Sequence, residues 1–365
     1  MNTFNRIVSG VIFALVFILV APQAAMATEA MPNWSPADLE HVEVPVETSE
    51  GITLSAYVTR PVGSHGKTPA IFFTQWVVCS SIAPREDRLS VEEYVALASG
   101  FALIRVDRAG TGRSEGPACS ELDYETEVRH YREAFDALIA HPWIDRDRIA
   151  VMGRSLGSTT APLVALGKPV IGVIAQGAGA LTYFERMVFF DRIQLERQPN
   201  LKPNEIDREM RRRIRFHHHY LVEQKTPTQI EQEHPDLSGV WESLRGTANA
   251  PHYGRPYTWH WQAARSNWLS TWLAIEAPVM VVFGEFEQFE SRHGHRTIID
   301  TINRVRPGNA TWLELPSTGH SLSRYDTVLD AYEREDGNPR PIDFAQPVAD
   351  WLKQRLSDPH AKVGP

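Results

Sequence analysis

The feature that most restricts the fold of this chain is a glycine–x–serine–x–glycine sequence, Gly153-Arg154-Ser155-Leu156-Gly157. An apolar run at 149–152 precedes it, and a segment at 158–165 that can begin a helix follows it. A strand, a sharp turn with serine at its apex and a helix together form a nucleophile elbow. The helix N-terminus directs N–H groups to the place where negative charge develops during acyl transfer. The pattern therefore predicts Ser155 as a catalytic nucleophile.

Strand and helix patterns alternate along much of the chain. The first two strands alternate apolar and polar residues, which predicts an antiparallel pair. Ser90 with Glu93 three residues later is typical of a helix N-cap. Such alternation specifies an α/β fold with a mostly parallel sheet, here of eight strands flanked by helices. The strands are predicted at 41–46, 52–58, 68–74, 101–107, 149–152, 170–175, 279–283 and 310–315, and helices at 90–98, 124–140 and 341–356.

One long insertion interrupts the alternation. Roughly 100 residues with helical patterns and no clear strand precede the strand at 279–283, too many for a simple connection. We expect a helical cap at 181–275 between two parts of the core, 28–180 and 276–365. Its aromatic residues suggest a large apolar or aromatic substrate group, although packing in a core explains them equally well. They are Tyr253, Tyr257, Trp259, Trp261 and Trp268.

The N-terminal residues 1–27 read as a signal peptide. Arg6 precedes an apolar run at 7–21, and Ala25-Met26-Ala27 offers a cleavage site. An uncleaved anchor is the alternative. We expect a periplasmic or secreted protein with no stable membrane insertion after cleavage. The formal net charge of −8 argues against nucleic acid as a partner.

The chain has two cysteines, Cys79 and Cys119. An even count in an exported protein predicts a disulfide. Both residues lie in loops that should follow neighbouring strands. Two free thiols are the alternative.

A serine nucleophile needs a base, and the base needs a group that orients it. The predicted order along the chain is serine, acid, histidine. His320 lies in the loop after the last strand and is the predicted base. Glu287 follows the strand at 279–283 and is the predicted acid, with Glu285 and Glu290 as alternatives.

The oxyanion formed during acyl transfer needs two N–H donors. Leu156, directly after the nucleophile, supplies one. The other is expected from the loop after the strand at 68–74, from Val77 or from Trp76. The glycine-rich segment 108–116 has no third glycine and opens no helix, so we interpret it as a tight turn beneath the site and not as a phosphate loop.

Two histidine clusters look like metal sites, but their spacing argues against it. Three successive residues on a helix, such as 217–219, point in different directions. His293 and His295 lack companion ligands at suitable spacing. We expect both clusters, and the arginines at 211–215, to lie on solvated helical faces. No metal and no organic cofactor is predicted.

These motifs resemble the α/β-hydrolase superfamily over nearly all of residues 28–365. Segments 153–157, 284–287 and 319–320 match its three catalytic loops in order, and 106–116 resembles its turn after the fourth strand. More closely, the chain is similar to exported hydrolases grouped with prolyl-oligopeptidase-like and dipeptidyl-peptidase-like proteins, through its paired cysteines and Tyr253-Gly254-Arg255. It departs from the pattern at Gln75-Trp76, where His-Gly is usual, and at Glu287, where aspartate is usual.

The sequence thus predicts an exported serine hydrolase acting on a small-molecule substrate that is a carboxylic ester or a lactone. An aminopeptidase or dipeptidyl-peptidase is the first alternative. It needs an acidic cap residue for a free α-amino group, and Glu185, Asp191 and Glu196 are available. A non-catalytic binding protein is the second alternative, against which the complete set of serine, histidine and acid argues. The oligomeric state is not predicted.

Overall fold

The computed structural model describes residues 31–177, 179–245, 252–334 and 337–357. The predicted signal peptide lies outside the described residues. The strands are β1 Leu39–Glu47, β2 Thr53–Pro61, β3 Thr68–Thr74, β4 Ala102–Val106, β5 Ile144–Arg154, β6 Gly172–Gln176, β7 Val279–Gly284, β8 Ala310–Leu315, β9 Ser323–Arg324 and β10 Asn338–Pro339. The helices are α1 Val91–Ser99, α2 Tyr124–Leu138, α3 Gly157–Ala165, α4 Tyr183–Glu196, α5 Pro203–His217, α6 Pro227–Glu233, α7 Val240–Arg245, α8 Tyr257–Arg265, α9 Trp268–Ala274, α10 Arg292–Val305, α11 Val328–Glu333 and α12 Pro341–Ser357.

Eight strands form one sheet in the order β1-β2-β4-β3-β5-β6-β7-β8. The pairs β1/β2 and β2/β4 are antiparallel, and the remaining pairs are parallel. The predicted α/β fold with a mostly parallel eight-stranded sheet is therefore confirmed. Strand β5 begins at Ile144, five residues before the predicted start at 149. The added residues are mostly polar and join β3 only through Thr68 and Ile144, with an irregular register before Ala70.

The sheet separates two apolar cores, one on each face. Successive residues of β3 alternate between them, as the two-residue period of a strand requires. Ala70 and Phe72 pack into one core with Phe135 of α2, and Ile71 and Phe73 pack into the other with the apolar face of α12. This buried sheet holds the carboxyl ends of the parallel strands rigidly at one edge, where the candidate site lies.

Helices α4 to α9 and a π-helical segment, His218–Val222, lie between β6 and β7. They occupy the predicted insertion and share a third apolar cluster with Val77 and Leu156 from the core. All five aromatic residues singled out in the sequence are in this cluster or pack against it. Their packing is sufficient to explain them, so they carry no separate argument about substrate size. Across the described ranges, no helix has both the length and the apolar character that crossing a membrane requires.

The prediction that the histidine and arginine clusters lie on solvated faces is wrong for three residues. His217 and Arg213 are buried because α5 packs against α4 along one stripe, and this stripe includes both residues. His217 Nε2 lies 2.5 Å from the buried Asp191 carboxylate. His295 is also buried, with Nδ1 2.8 Å from the Ser291 carbonyl oxygen. These side chains are structural parts of the helix packing.

Candidate active site

Ser155 stands at a strained turn between β5 and α3. Its φ of 50° lies in the left-handed region that non-glycine residues seldom adopt. Two contacts hold this conformation: the Ser155 N–H donates to the Gln176 carbonyl over 2.6 Å, and the Ser158 hydroxyl donates to the Gly153 carbonyl over 2.8 Å. The turn is therefore fixed from β6 and from its own helix, as a nucleophile elbow requires.

The two glycines of the elbow allow close backbone approach. A Cβ atom at Gly153 would lie 2.3 Å from the Gly157 carbonyl oxygen. A Cβ atom at Gly157 would lie 2.2 Å from the Thr74 carbonyl oxygen and 2.6 Å from that of Gln75. The elbow is therefore packed directly against the end of β3 and the loop that follows it.

His320 joins the serine to a carboxylate. Its Nε2 lies 3.0 Å from the Ser155 hydroxyl, and its Nδ1 lies 2.8 and 2.9 Å from the two oxygens of Glu287. Three loops, after β5, β7 and β8, bring these residues together. Both ring nitrogens of His320 thus have partners with the geometry that proton transfer needs.

Glu287 is held in its charged form. Burial alone raises the pKa of its carboxyl, but the charge and hydrogen bond of His320 and the Phe289 N–H outweigh burial and hold the pKa below its ordinary value. An ionised carboxylate beside Nδ1 favours the tautomer whose Nε2 can accept a proton from serine. It also stabilises the imidazolium that forms.

The two alternative acids make other contacts. The exposed Glu285 accepts a hydrogen bond from the Ser317 N–H over 2.7 Å. Glu290 is buried in an ion pair with Arg186 of α4. Of the three glutamates that the sequence left open, Glu287 is the one whose carboxylate contacts His320.

Helix α4 of the cap, and Arg197 directly after it, also contact the loop that carries Glu287. Besides the Arg186–Glu290 pair, Arg197 donates to the Gln288 carbonyl over 2.7 Å. The Phe190 ring stacks on Phe289 with ring centroids 5.8 Å apart. The position of the acid is therefore set partly by the insertion and partly by the sheet.

Sequence reasoning missed the side chains that contact His320 on either side of the line from Ser155 to Glu287. Gln288 Oε1 accepts from the His320 N–H over 2.9 Å, and Gln176 Nε2 donates to the His320 carbonyl over 3.2 Å. The Phe289 ring meets the imidazole edge to face, with centroids 5.1 Å apart. No spacing in the sequence signals these contacts, because they join loops that follow different strands.

The expected oxyanion donors belong to the elbow and to the loop that is packed against it. Leu156, directly after Ser155, is the N-cap of α3, and Trp76 and Val77 lie in the loop after β3. None of these three backbone N–H groups donates a hydrogen bond within the described part of the chain. The arrangement can therefore attack an acyl carbonyl and offer N–H groups to the resulting oxyanion.

Cys79 and Cys119 form a disulfide, as predicted. It joins the loop after β3 to the segment that follows the glycine-rich turn at 108–116. Arg255, which lies before α8, donates to the Cys119 carbonyl over 3.0 Å. The disulfide therefore fixes the far end of the loop that carries Trp76 and Val77.

Opening this disulfide is expected to destabilise the protein. The bond spans 40 positions, and the loop-closure model gives about 4 kcal/mol for a loop of that size. Cys79 is exposed to reductant. Dithiothreitol, or the double replacement C79S/C119S, should lower the melting temperature by roughly 5 to 10 °C. Equal melting temperatures for oxidised and reduced protein, by calorimetry, would contradict this prediction.

Comparison with known proteins decides the family. A family model described as X-Pro dipeptidyl-peptidase (S15 family) matches residues 50–292. The chain belongs to the S15 peptidase family. The matched region contains Ser155, Glu287 and both cysteines.

Two curated proteins match a shorter part of this S15 chain. Polyketide transferase ATR5 of Stachybotrys chlorohalonatus is 30% identical over 134 residues, which is 36% of this chain and 43% of that protein. Polyketide transferase claH of Penicillium crustosum is 26% identical over 133 residues, 36% of this chain and 39% of that protein. The chain thus spans about two fifths of the length of these relatives.

Solved structures share the fold of this S15 chain at low identity. The α/β hydrolase GrgF of Penicillium sp. sh18 has a TM-score of 0.53 at 15% identity, over 87% of this chain and 100% of that chain. Esterase Pf2001 of Pyrococcus furiosus has a TM-score of 0.51 at 14% identity, over 89% and 96%. Est1E of Butyrivibrio proteoclasticus, solved with ferulic acid, has a TM-score of 0.51 at 14% identity, over 86% and 100%. These similarities establish the α/β-hydrolase fold.

Proposed function

We propose that this protein is an exported serine hydrolase that cleaves a carboxylic ester, or a lactone, through an acyl-enzyme on Ser155. The observation that carries the proposal is the continuous contact from the Ser155 hydroxyl through His320 to Glu287, at 3.0 and 2.8 Å. In this mechanism His320 Nε2 takes the serine proton as Ser155 Oγ attacks the carbonyl carbon. The N–H of Leu156, with that of Val77 or Trp76, binds the oxyanion.

Collapse of the tetrahedral intermediate completes the first half of the reaction. His320 returns the proton to the leaving alcohol, and the acyl group remains on Ser155. A water molecule then gives a proton to His320 and attacks the acyl carbon. When this second intermediate collapses, the bond to Ser155 Oγ breaks, His320 returns the proton to that oxygen, and the acid is released. Glu287 stays ionised throughout and stabilises the imidazolium in both halves.

Cleavage of an N-terminal dipeptide is the second candidate function, because the S15 family is described by X-Pro dipeptidyl-peptidase activity. Such an activity needs a carboxylate for the free α-amino group. The acids that the sequence offered for this task have other partners. Glu185 caps α4 through Thr182, Asp191 contacts His217, and Glu196 lies on the surface beside Arg192. Ester cleavage makes no such demand, so these contacts favour the ester proposal.

A substrate comparison tests the proposal. Purified protein is assayed with p-nitrophenyl acyl esters of graded chain length and with X-Pro p-nitroanilides. We expect kcat/KM to be larger for at least one ester than for any anilide, and both activities to disappear in Ser155→Ala. Anilide turnover with little ester turnover would support the dipeptidyl-peptidase instead. Intact mass and fractionation of the producing cells would test export and removal of residues 1–27.

A further inference from the structure

Arg108, which directly follows β4 and Asp107, contacts the loop that carries the expected second oxyanion donor. Its Nη2 donates to the carbonyls of Gln75 and Trp76 over 3.1 and 2.5 Å, and its Nη1 donates to the Val78 carbonyl over 3.1 Å. The arginine side chain is 2% exposed. One buried guanidinium thus binds three of four successive carbonyls and, through Nε, the Glu127 carboxylate. These four contacts exceed the three donors of an ammonium, whereas a planar guanidinium has five.

These contacts set the direction of the neighbouring N–H groups. In a trans peptide the carbonyl of one residue and the N–H of the next point in opposite directions. With the Gln75 and Trp76 carbonyls turned towards Arg108, the N–H groups of Trp76 and Val77 are turned away from it. Both are free of hydrogen bonds within the described ranges.

In the sheet, the strand that leads to Ser155 lies on the opposite side of β3 from the strand that leads to Arg108. Strand β3 lies between β4, which leads to Arg108, and β5, which leads to Ser155. The loop after β3 therefore lies beside the segments that follow β4 and β5, and its Gln75 carbonyl approaches both Arg108 and Gly157 of the elbow. The close packing of Gly157 against the Thr74 and Gln75 carbonyls keeps the elbow against this loop. These N–H groups therefore belong to a loop that is packed against the elbow, and their direction away from Arg108 leaves them open to a group bound at Ser155.

Arg108 is itself held by a buried carboxylate. Its Nε donates to Glu127 over 2.7 Å, and Glu127 also accepts from Arg255 and, over 3.0 Å, from the Trp259 indole of cap helix α8. Burial alone raises the pKa of Glu127, but Arg108 and Arg255 outweigh it and keep the pKa below its ordinary value. The Arg108 guanidinium is thus paired with the charged Glu127, which in turn contacts cap helix α8 through Trp259.

We propose that Arg108 is a positioning residue that directs the Trp76 and Val77 N–H groups at the oxyanion. The inference rests on the proposed acyl-enzyme mechanism. It predicts that Arg108 acts on the rate of the chemical step and not on the binding of the ground-state substrate. It also assigns a role to the glycine-rich segment 108–116, whose first residue positions the loop after β3. The sequence of the segment alone does not indicate this role.

The variant Arg108→Lys tests this role with the charge preserved. We expect kcat on a p-nitrophenyl ester to fall about 100-fold, the effect of losing one oxyanion donor, with KM changed less than threefold. If Arg108 had only a structural role, its replacement would not alter the preference of the oxyanion hole for a substrate oxygen over a substrate sulfur. The readout is therefore the ratio of kcat/KM for an ester to that for its thionoester, whose sulfur accepts hydrogen bonds weakly. This ratio should fall at least tenfold.

Arg105→Lys is the matched control. Arg105, on β4, forms a similarly buried pair at 2.8 Å with Glu93 of α1, and it contacts Thr59 and not the loop after β3. Arg105→Lys should lose stability as Arg108→Lys does, but it should keep the wild-type kcat and the wild-type ratio of ester to thionoester kcat/KM. The inference would be overturned if folded Arg108→Lys kept the wild-type ratio of ester to thionoester kcat/KM. It would also be overturned if Arg108→Lys and Arg105→Lys lost kcat equally. Arg108→Gln, which cannot span the three carbonyls, is the second variant if Arg108→Lys fails to fold.

Fluorophosphonate labelling separates this inference from the proposed function. The reagent places a phosphoryl oxygen in the oxyanion hole and needs no ester activity. If the wild-type protein labels but cleaves no ester, the proposed substrate class is wrong while the inference is still tested. Labelling of Arg108→Lys should then be at least 30-fold slower than that of Arg105→Lys, on the scale of one lost oxyanion donor. Equal labelling rates would reject the role of Arg108.

Discussion

Replacing Ser155 by alanine should lower kcat for the best ester substrate by about 10⁴- to 10⁶-fold. The loss is large because alanine has no nucleophile, and the residual rate comes from binding and the oxyanion donors alone. The fold should remain intact, since the turn is held by backbone contacts of Ser155 and by Ser158, which the substitution leaves in place. Steady-state kinetics measures the loss of kcat, and a melting curve on the same preparation shows whether the fold is intact.

Ser158→Ala is the useful comparison for this first variant. Ser158 is buried and its hydroxyl contacts the backbone of the elbow and of β6, so its loss should affect stability more than chemistry. Retention of more than a few per cent of wild-type turnover by Ser155→Ala, after contaminating hydrolases are excluded, would mean that another group is the nucleophile.

Replacing Glu287 by glutamine should lower kcat by about 10²- to 10⁴-fold with little change in KM. Glutamine keeps the shape of the side chain, but it removes the charge that stabilises the imidazolium. Its NH₂ group can also face Nδ1 and favour the wrong tautomer. Because Glu287 is buried and its carboxylate contacts His320 through both oxygens, solvent cannot replace it. The measurement is kcat and KM on one ester across neutral pH.

Glu285→Gln provides the matched control in the same loop. Its carboxylate is exposed and accepts from the Ser317 N–H, so we expect kcat to change less than about threefold, as for an ordinary surface hydrogen bond. An equal loss in the two variants would show that the loop as a whole, and not the Glu287 carboxylate, governs the rate. A full loss in Glu285→Gln alone would move the acid to Glu285.

Local sequence patterns predicted the sheet and the elbow well, because short-range rules determine both. Period-two alternation indicated the β1/β2 pair, and Ser90 with Glu93 indicated the start of α1, where both capping hydrogen bonds are present. The order of serine, acid and histidine follows from the order of the strands, so three loops far apart in sequence could be placed at one edge of the sheet. The glycine-rich segment after β4 also forms the tight turn that was expected, with Gly110 and Gly112 at positive φ.

Contacts between elements could not be predicted in this way. His217 and Arg213 are polar residues in a charged helix, and their burial depends on how α4 and α5 pack. The choice among Glu285, Glu287 and Glu290 depends on the exact path of a loop, which spacing alone does not determine. The role of Arg108 needs the order of β4, β3 and β5 in the sheet, a non-local property. In each case the deciding partner is remote in sequence.

Intact-mass spectrometry of the protein treated with a fluorophosphonate, followed by peptide mapping, tests the central claim most directly. The reagent reports an activated serine whatever the natural substrate is. We expect one adduct per chain, located on Ser155, formed by the wild-type protein and absent from Ser155→Ala, and formed much more slowly by Glu287→Gln. No adduct on folded wild-type protein, or an adduct on another serine, would contradict the account of Ser155, His320 and Glu287 as one catalytic unit.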